Sequence, residues 1–178
     1  MSEPNVAVVP GGTGSVGRCL VPLLIDRGFR VAVTYLLPDE ATAMEEMIDL
    51  DEDRLILRRV DCTDAGAANA FMDEAVSAFG HINVMASLVG GWAGGRDVAE
   101  TDDVRLDRML DLNLRTAWNT SRAAIPHMRA RGGCIINVSS LSGLGAMDAI
   151  PACYTASKFA SVGLTKQLAL QYAADGIR

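Results

Sequence analysis

Tyr154 and Lys158 stand four positions apart in Tyr-Thr-Ala-Ser-Lys, where an Ala- and Leu-rich segment from Ser157 to Ala174 reads as a closing helix. That spacing puts a phenol and an ammonium on one helix face. An unperturbed tyrosine ionises near pH 10, so it can exchange a proton at neutral pH only if a neighbouring positive charge favours the tyrosinate. Many helices carry Tyr-x-x-x-Lys by chance, and the pair takes its meaning from its surroundings. Fourteen residues before Tyr154 lies Ser140, at the end of Asn137-Val138-Ser139-Ser140 and ahead of Leu141-Ser142-Gly143. A hydroxyl there can hydrogen-bond a reacting oxygen and fix its orientation. Ser139 is the alternative, and the spacing to Gly143 favours Ser140. Upstream, Asn113 sits in Asp111-Leu112-Asn113-Leu114 inside a long helical pattern; taken alone it is an ordinary interior asparagine.

A second constellation opens the chain. Gly11-Gly12-Thr13-Gly14-Ser15-Val16-Gly17 follows a strand-like run directly and leads into a helix. A pyrophosphate must approach backbone N–H groups at a helix N-terminus, and side chains would obstruct it. Glycines at 11, 14 and 17 permit a tight turn, contact with the phosphates and close helix-to-strand packing. A turn without a ligand is the competing reading; the order of strand, glycines and helix argues for the ligand.

The elements that must position these groups alternate between β-branched runs and helical patterns. Strands are expected at Val6–Val9, Phe29–Tyr35, Leu55–Val60, Ile82–Val89 and Cys134–Val138. Helices are expected at Val16–Arg27, Asp39–Leu50, Asp64–Phe79 with Asp64 as a cap, and Asp103–Arg131 as one helix or two, bent near Pro126. The resulting fold class is α/β, a Rossmann-type doubly wound parallel sheet in one domain over residues 1–178.

Composition removes several functions. A net charge of −6 argues against nucleic acid, since phosphate binding needs clustered Lys and Arg. The acidic stretch between Asp39 and Asp53 reads as a solvated helix face. No run reaches the roughly 18 apolar residues of a membrane span, and the start lacks a signal peptide's basic segment. Cys19, Cys62, Cys134 and Cys153 have no CxxC spacing, so neither a disulfide framework nor a metal site is expected. A reducing, cytoplasmic setting follows by default. Cys153 and His127 read as structural.

The two constellations together resemble the short-chain dehydrogenase/reductase superfamily. Asn113, Ser140, Tyr154 and Lys158 match its Asn-Ser-Tyr-Lys tetrad. The turn, Gly-x-x-Gly-x-x-Gly, is closer to the extended and atypical members than to the compact Thr-Gly-x-x-x-Gly-x-Gly form: Pro10 stands for the Thr and Ser15 for the middle Gly. The resemblance implies an NAD(P)(H)-dependent oxidoreductase moving hydride between nicotinamide and a carbonyl or secondary alcohol. Reduction leaves an oxyanion needing a proton and oxidation needs that proton removed, so Tyr154 is the general acid/base. Lys158 would also hold the nicotinamide ribose, and Asn113 a water linking Lys158 to solvent. Tyr154 and Lys158 thus belong to the cofactor site with Gly11 through Gly17. Asp61 in Asp61-Cys62-Thr63-Asp64 would accept from adenine, with Cys62 contributing backbone. Asp61 and Asp64 as mere helix caps are the alternative. At Tyr35, the end of the second strand, neither an acid for an unphosphorylated ribose nor an Arg for a 2′-phosphate stands; the balance leans to NADP(H) over NAD(H).

The chain departs from that pattern in two places. The family's Asn-Asn-Ala-Gly is here Ser87-Leu88-Val89-Gly90, which keeps only the cofactor-lining Gly90. The following Gly-Gly-Trp-Ala-Gly-Gly resembles the matching loop of dihydropteridine reductases, which implies pterin reduction as an alternative substrate class. Trp92 would then wall the substrate; plain loop packing is the competing reading. Family members also continue beyond a segment like Ala174–Arg178, adding strands and a substrate-covering part. The domain is therefore expected to lack its usual last strands, and the fifth strand to form an exposed edge. A non-catalytic NAD(P)-binding regulatory module and an assembly role are the other readings. The family's helix pairing implies a homo-oligomer, dimer or tetramer.

Overall fold

The computed structural model describes residues 3–48, 53–92, 94 and 97–178. Five short strands, β1 Val6–Val9, β2 Arg30–Tyr35, β3 Leu55–Arg59, β4 Val84–Ser87 and β5 Cys134–Asn137, form one parallel sheet in the order β3-β2-β1-β4-β5. Register is set by Val8 against Ala32 and Met85, and by Tyr35 against Arg59. The order reverses at β1, so the carboxyl ends of β1 and β4 open the crevice in which such sheets bind ligands.

Alternate residues of β1 explain the double winding. Val6 and Val8 pack with Ile56, Met85 and Ile135 against Phe71, Met72 and Ala75 of α3 (Ala65–Phe79) and Ala124 and Met128 of α5 (Thr116–Met128). Ala7 and Val9 pack with Val31, Val33 and Leu55 on the opposite face, against Val21 of α1 (Ser15–Asp26) and Met44 of α2 (Pro38–Glu45). All four β1 residues are fully buried, as a central strand covered on both faces requires.

Several expectations need correction. The helical pattern from Asp103 continues through Pro126, which lies inside α5. It is interrupted earlier, where α4 (Asp103–Leu110) passes into a π-helical turn, Asp111–Arg115, before α5 begins. Leu110, Leu114 and Trp118 recur every four residues across it, so the wider turn leaves no mark on periodicity. The closing helix α6 (Ala152–Gln171) begins before Ser157, because Pro151 supplies the N-cap and its carbonyl accepts from Thr155. Finally, β5 is not bare along its outer side. Ile177 pairs in parallel with Gly133, and the Ile135 N–H donates to the Arg178 carbonyl at 2.8 Å. The second helix ends at Glu45, short of Leu50, which lies outside the described residues together with Ala93 and Gly95 of the Gly-rich loop.

Candidate active site

The glycines of the first turn serve different ends. Gly11 has φ +71°, and a Cβ there would stand 2.9 Å from the Val89 nitrogen. Its N–H donates to Thr34 Oγ1 at 2.9 Å, tying the turn to β2. A Cβ on Gly12 would reach Val33 Cγ1 at 2.8 Å, and one on Gly17 would collide with the Gly12 carbonyl oxygen at 2.0 Å. These three are packing requirements. Gly14 differs: the nearest atom to its Cβ position is 3.6 Å away. Gly14 is also the N-cap of α1, with no side-chain cap and no acid in the first turn. Ser15 and Val16 are exposed beside it. An uncapped N-terminus carrying a space that a side chain would fill fits a pyrophosphate.

Around this turn the structure brings charges that the linear reading missed. Thr13 is buried and donates its hydroxyl to Glu40 Oε2 at 3.0 Å, while its carbonyl accepts from Arg18 Nε at 2.9 Å. Arg59, opposite Tyr35, donates Nε to the Leu36 carbonyl at 3.2 Å. Glu40 lies in the first turn of α2 and Arg59 at the end of β3. Only the parallel register and the return of α2 toward the turn place them beside the end of β2.

Asp61 closes a local turn, its Oδ1 accepting from the N–H and hydroxyl of Thr63 at 2.9 and 2.7 Å. Asp64 caps α3 through the Ala67 N–H. Cys62 is buried; burial pushes its thiol up, against a hydrogen bond with Thr34 that pulls it down. Its carbonyl and that of Thr63 accept from Asn119 Nδ2 at 3.1 and 2.9 Å. Asn119, on α5, is a further residue that sequence reasoning passed over, since a lone helical asparagine carries no signal.

The second constellation gathers at the carboxyl ends of β4 and β5. Lys158 is 5% exposed, its Nζ donating to the Val138 carbonyl at 3.2 Å and lying 5.7 Å from the centre of the Tyr154 ring. Burial lowers its pKa below the ordinary lysine range. Asn113 is buried at the π-helical turn. Its Oδ1 accepts from Gly91 N–H and its Nδ2 donates to the Gly91 carbonyl, both at 3.0 Å, and to Ser157 Oγ at 3.1 Å. The Ser157 hydroxyl donates in turn to the Tyr154 carbonyl at 2.7 Å. Gly90 sits between these groups: a Cβ would stand 3.1 Å from Asn113 Oδ1 and 3.3 Å from Lys158 Nζ.

The two serines separate cleanly. Ser139 Oγ donates to the Lys158 carbonyl at 3.1 Å and accepts from Ser161, so it fastens β5 to α6. Ser140 Oγ accepts from the Ser142 N–H at 3.2 Å. Gly143 lets this segment dock, since a Cβ would meet Ser139 Oγ at 2.5 Å and the Lys158 carbonyl oxygen at 2.8 Å. Among the described residues no hydrogen bond joins Ser140 to Tyr154. Trp92, half exposed, meets Tyr154 edge to face, with ring centres 5.0 Å apart and planes at 69°.

A parallel sheet with a glycine turn at its switch point, and a tyrosine–lysine helix beside the next strand ends, defines a class of nucleotide-binding α/β proteins. The profile of the short chain dehydrogenase family matches residues 5–178. The chain is 33% identical over 176 residues to 3beta-hydroxysteroid dehydrogenase 2 of Eggerthella lenta, covering 98% of this chain and 67% of that one. It is 34% identical to a 3-alpha-(or 20-beta)-hydroxysteroid dehydrogenase of Mycobacterium tuberculosis, covering 98% and 65%. Among solved structures, a mutant short-chain dehydrogenase/reductase of Serratia marcescens superposes with a TM-score of 0.88 at 32% identity, over 97% of this chain and 70% of that one. The chain belongs to the short-chain dehydrogenase family, and it spans about two thirds of the length of these relatives. No helix among the described residues is long and apolar enough to cross a membrane.

Proposed function

We propose that the chain is the nucleotide-binding and catalytic portion of an NAD(P)(H)-dependent oxidoreductase that interconverts a carbonyl and a secondary alcohol. The observation that carries this reading is the buried Lys158 ammonium, 5.7 Å from the Tyr154 ring, at the carboxyl edge of a sheet whose first turn fits a pyrophosphate. A bound nicotinamide supplies or accepts the hydride. In the reducing direction Tyr154 Oη gives its proton to the substrate oxygen, and in the oxidising direction it takes that proton back. Lys158 favours the negative charge left on the phenol. Ser140 donates to the substrate oxygen and sets its direction. Asn113 fixes the Gly90–Gly91 backbone against Lys158 and, through Ser157, the first turn of α6. The names of the relatives, hydroxysteroid dehydrogenases, support a secondary alcohol on a ring; pterin reduction is the second substrate reading, supported by Trp92 beside Tyr154.

Arg59 supports NADP(H), because its guanidinium lies at the end of β2, where a ribose 2′-phosphate would come, and no carboxylate occupies positions 35–37. Glu40 is the opposing charge. A homodimer is supported by a groove of about 710 Å³ between α5 and α6, lined by Leu114, Trp118, Ile125, Leu164, Leu168 and Tyr172. Trp118 is half exposed there, and Ser121 Oγ in the same lining is buried without a partner. The four thiols, unpaired in the structure, suit a reducing cytoplasm. The test is Tyr154→Phe: NADPH binding, read by nicotinamide fluorescence, is expected to persist while hydride transfer to ketones falls by about a thousandfold. Full turnover by the variant would overturn the reading.

A further inference from the structure

We infer that Trp92 is the specificity-determining residue of the acceptor site, and that its exposed ring face takes one face of a neutral, ring-bearing ketone or alcohol. The inference rests on the oxidoreductase reading above and names the substrate class of that site.

The loop carrying Trp92 is built to hold it in one place. A Cβ on Gly90 would press on Asn113 Oδ1 and Lys158 Nζ, and one on Gly91 would meet Leu112 Cδ1 at 2.5 Å. The backbone therefore lies close on the π-helical turn, and a side chain at either glycine would displace Leu112, Asn113 or Lys158. Asn113 then grips Gly91 by both its N–H and its carbonyl. A buried amide satisfied by two bonds to one residue is a stiff anchor, since breaking either leaves a buried polar group unpaired. The residue that follows the anchor is Trp92, whose ring meets Tyr154 at 5.0 Å and 69°. An edge-to-face pair sets the positive rim of one ring against the negative face of the other and favours that angle.

What Trp92 does not do is bury itself: it remains 50% exposed. A large aromatic held at the surface by a rigid backbone leaves apolar area in water beside the acid/base hydroxyl. The segment after Ser140 repeats this character, with Leu141, Leu144 and Met147 at 71%, 72% and 45% exposure. From Ser87 to Trp92 and from Val138 to Met147 there is no ionisable side chain. These two segments thus offer apolar area and an aromatic face and carry no charge of their own; the ammonium beside them, Lys158, is buried with its Nζ donating to the Val138 carbonyl. A saturated or aromatic ring beside the carbonyl covers the indole, whereas a flexible chain of equal carbon number gives up rotor entropy to cover the same area.

The experiment uses the full chain with Trp118→Phe, which leaves Trp92 as the one tryptophan of the two in the sequence. 2-Decalone, a neutral bicyclic ketone, and 2-decanone, its open-chain counterpart, are titrated with and without NADPH, following Trp92 emission and nicotinamide fluorescence separately. Decalone is expected to change Trp92 emission saturably, at a concentration about tenfold below that for decanone. In the chain retaining Trp118, Trp92→Phe should keep decalone reduction within about threefold and Trp92→Ala should raise the KM for decalone about tenfold, with a clearly smaller rise for decanone. Bound NADPH with Trp92 emission indifferent to decalone, or equal response to the two ketones, overturns the inference. So does a Trp92→Ala chain with the same KM for decalone. Saturable decalone quenching without NADPH binding would keep the ring site and remove the oxidoreductase reading. Silence of both signals would remove both.

Discussion

Lys158 shows how a single residue can be set against the stability of its own fold. Its ammonium is buried with one carbonyl partner, and burial lowers its pKa from 10.5. Below the folded value both states carry the charge, and the folded state bears the whole desolvation cost. As pH rises between the lowered folded value and the unfolded one, the unfolded chain keeps a proton that the folded chain has lost, so stability rises with pH. The native chain should therefore gain stability relative to Lys158→Met as pH rises toward 10.5, read as urea midpoints. A constant difference would show that the lysine is not desolvated. Glu40 and Arg59 make the second residue-scale case. Removing a carboxylate should favour a 2′-phosphate and removing a guanidinium should disfavour it, so Glu40→Gln is expected to raise the NADPH-to-NADH affinity ratio and Arg59→Ala to lower it, each about tenfold. Nicotinamide fluorescence titrations give both ratios, and an unchanged ratio in both variants would place the ribose elsewhere. Tyr154, Lys158 and Asn113, the residues now found together, were legible from spacing and family pattern. Glu40 and Arg59 were not, because what makes them neighbours of the turn is the sheet, not the sequence.

At the scale of elements, the glycine turn and the π-helical turn carry different lessons. The turn was readable because a strand, glycines and a helix in that order leave few alternatives, yet the sequence does not say which glycine serves the fold and which the ligand. The geometry separates three glycines that packing requires from one that it does not. Gly17→Ala drives a Cβ into the Gly12 carbonyl oxygen and should destabilise the chain by several kcal/mol, on the order of the larger single-residue losses. Gly14→Ala meets nothing closer than 3.6 Å and, at an extended N-cap with negative φ, should leave the melting temperature near that of the parent while weakening NADPH binding at least tenfold. Thermal melts and cofactor titration of the two variants decide it: equal NADPH affinity in Gly14→Ala would mean that no pyrophosphate approaches that helix end. The π-helical turn was hidden because Leu110, Leu114 and Trp118 keep helical spacing across it. What it accomplishes is visible only in three dimensions, where the extra residue leaves Asn113 facing Gly91 and Ser157 at once. Asp111 and Arg115, an ion pair spanning the turn on its exposed side, help hold it open.

The whole molecule joins its site to its outer surface through two helices. The doubly wound parallel sheet followed from alternating strands and helices, and the two apolar faces of β1 were implicit in its unbroken run of apolar residues. The partnering of β5 was not legible, because two residues, Ile177 and Arg178, are too few to read as a strand. The groove between α5 and α6 exposes the Trp118 ring, and those same helices bring Asn119 to the Cys62–Thr63 loop and Tyr154 and Lys158 to the carboxyl ends of β4 and β5. If a second copy fills the groove, association supports the helices that hold the chemistry, and the folded state then gains stability with protein concentration. Trp118→Glu puts a carboxylate where the groove is apolar, at a side chain half exposed in the single chain, so the monomer should tolerate it. Light scattering should show the native chain as a dimer or tetramer and the variant as a monomer. The native melting temperature should climb as concentration is raised a hundredfold, while that of the variant stays fixed. A native chain that scatters as a monomer, or a variant that keeps the native mass, would leave the groove without its second copy and return the stability of α5 and α6 to the core of each chain alone.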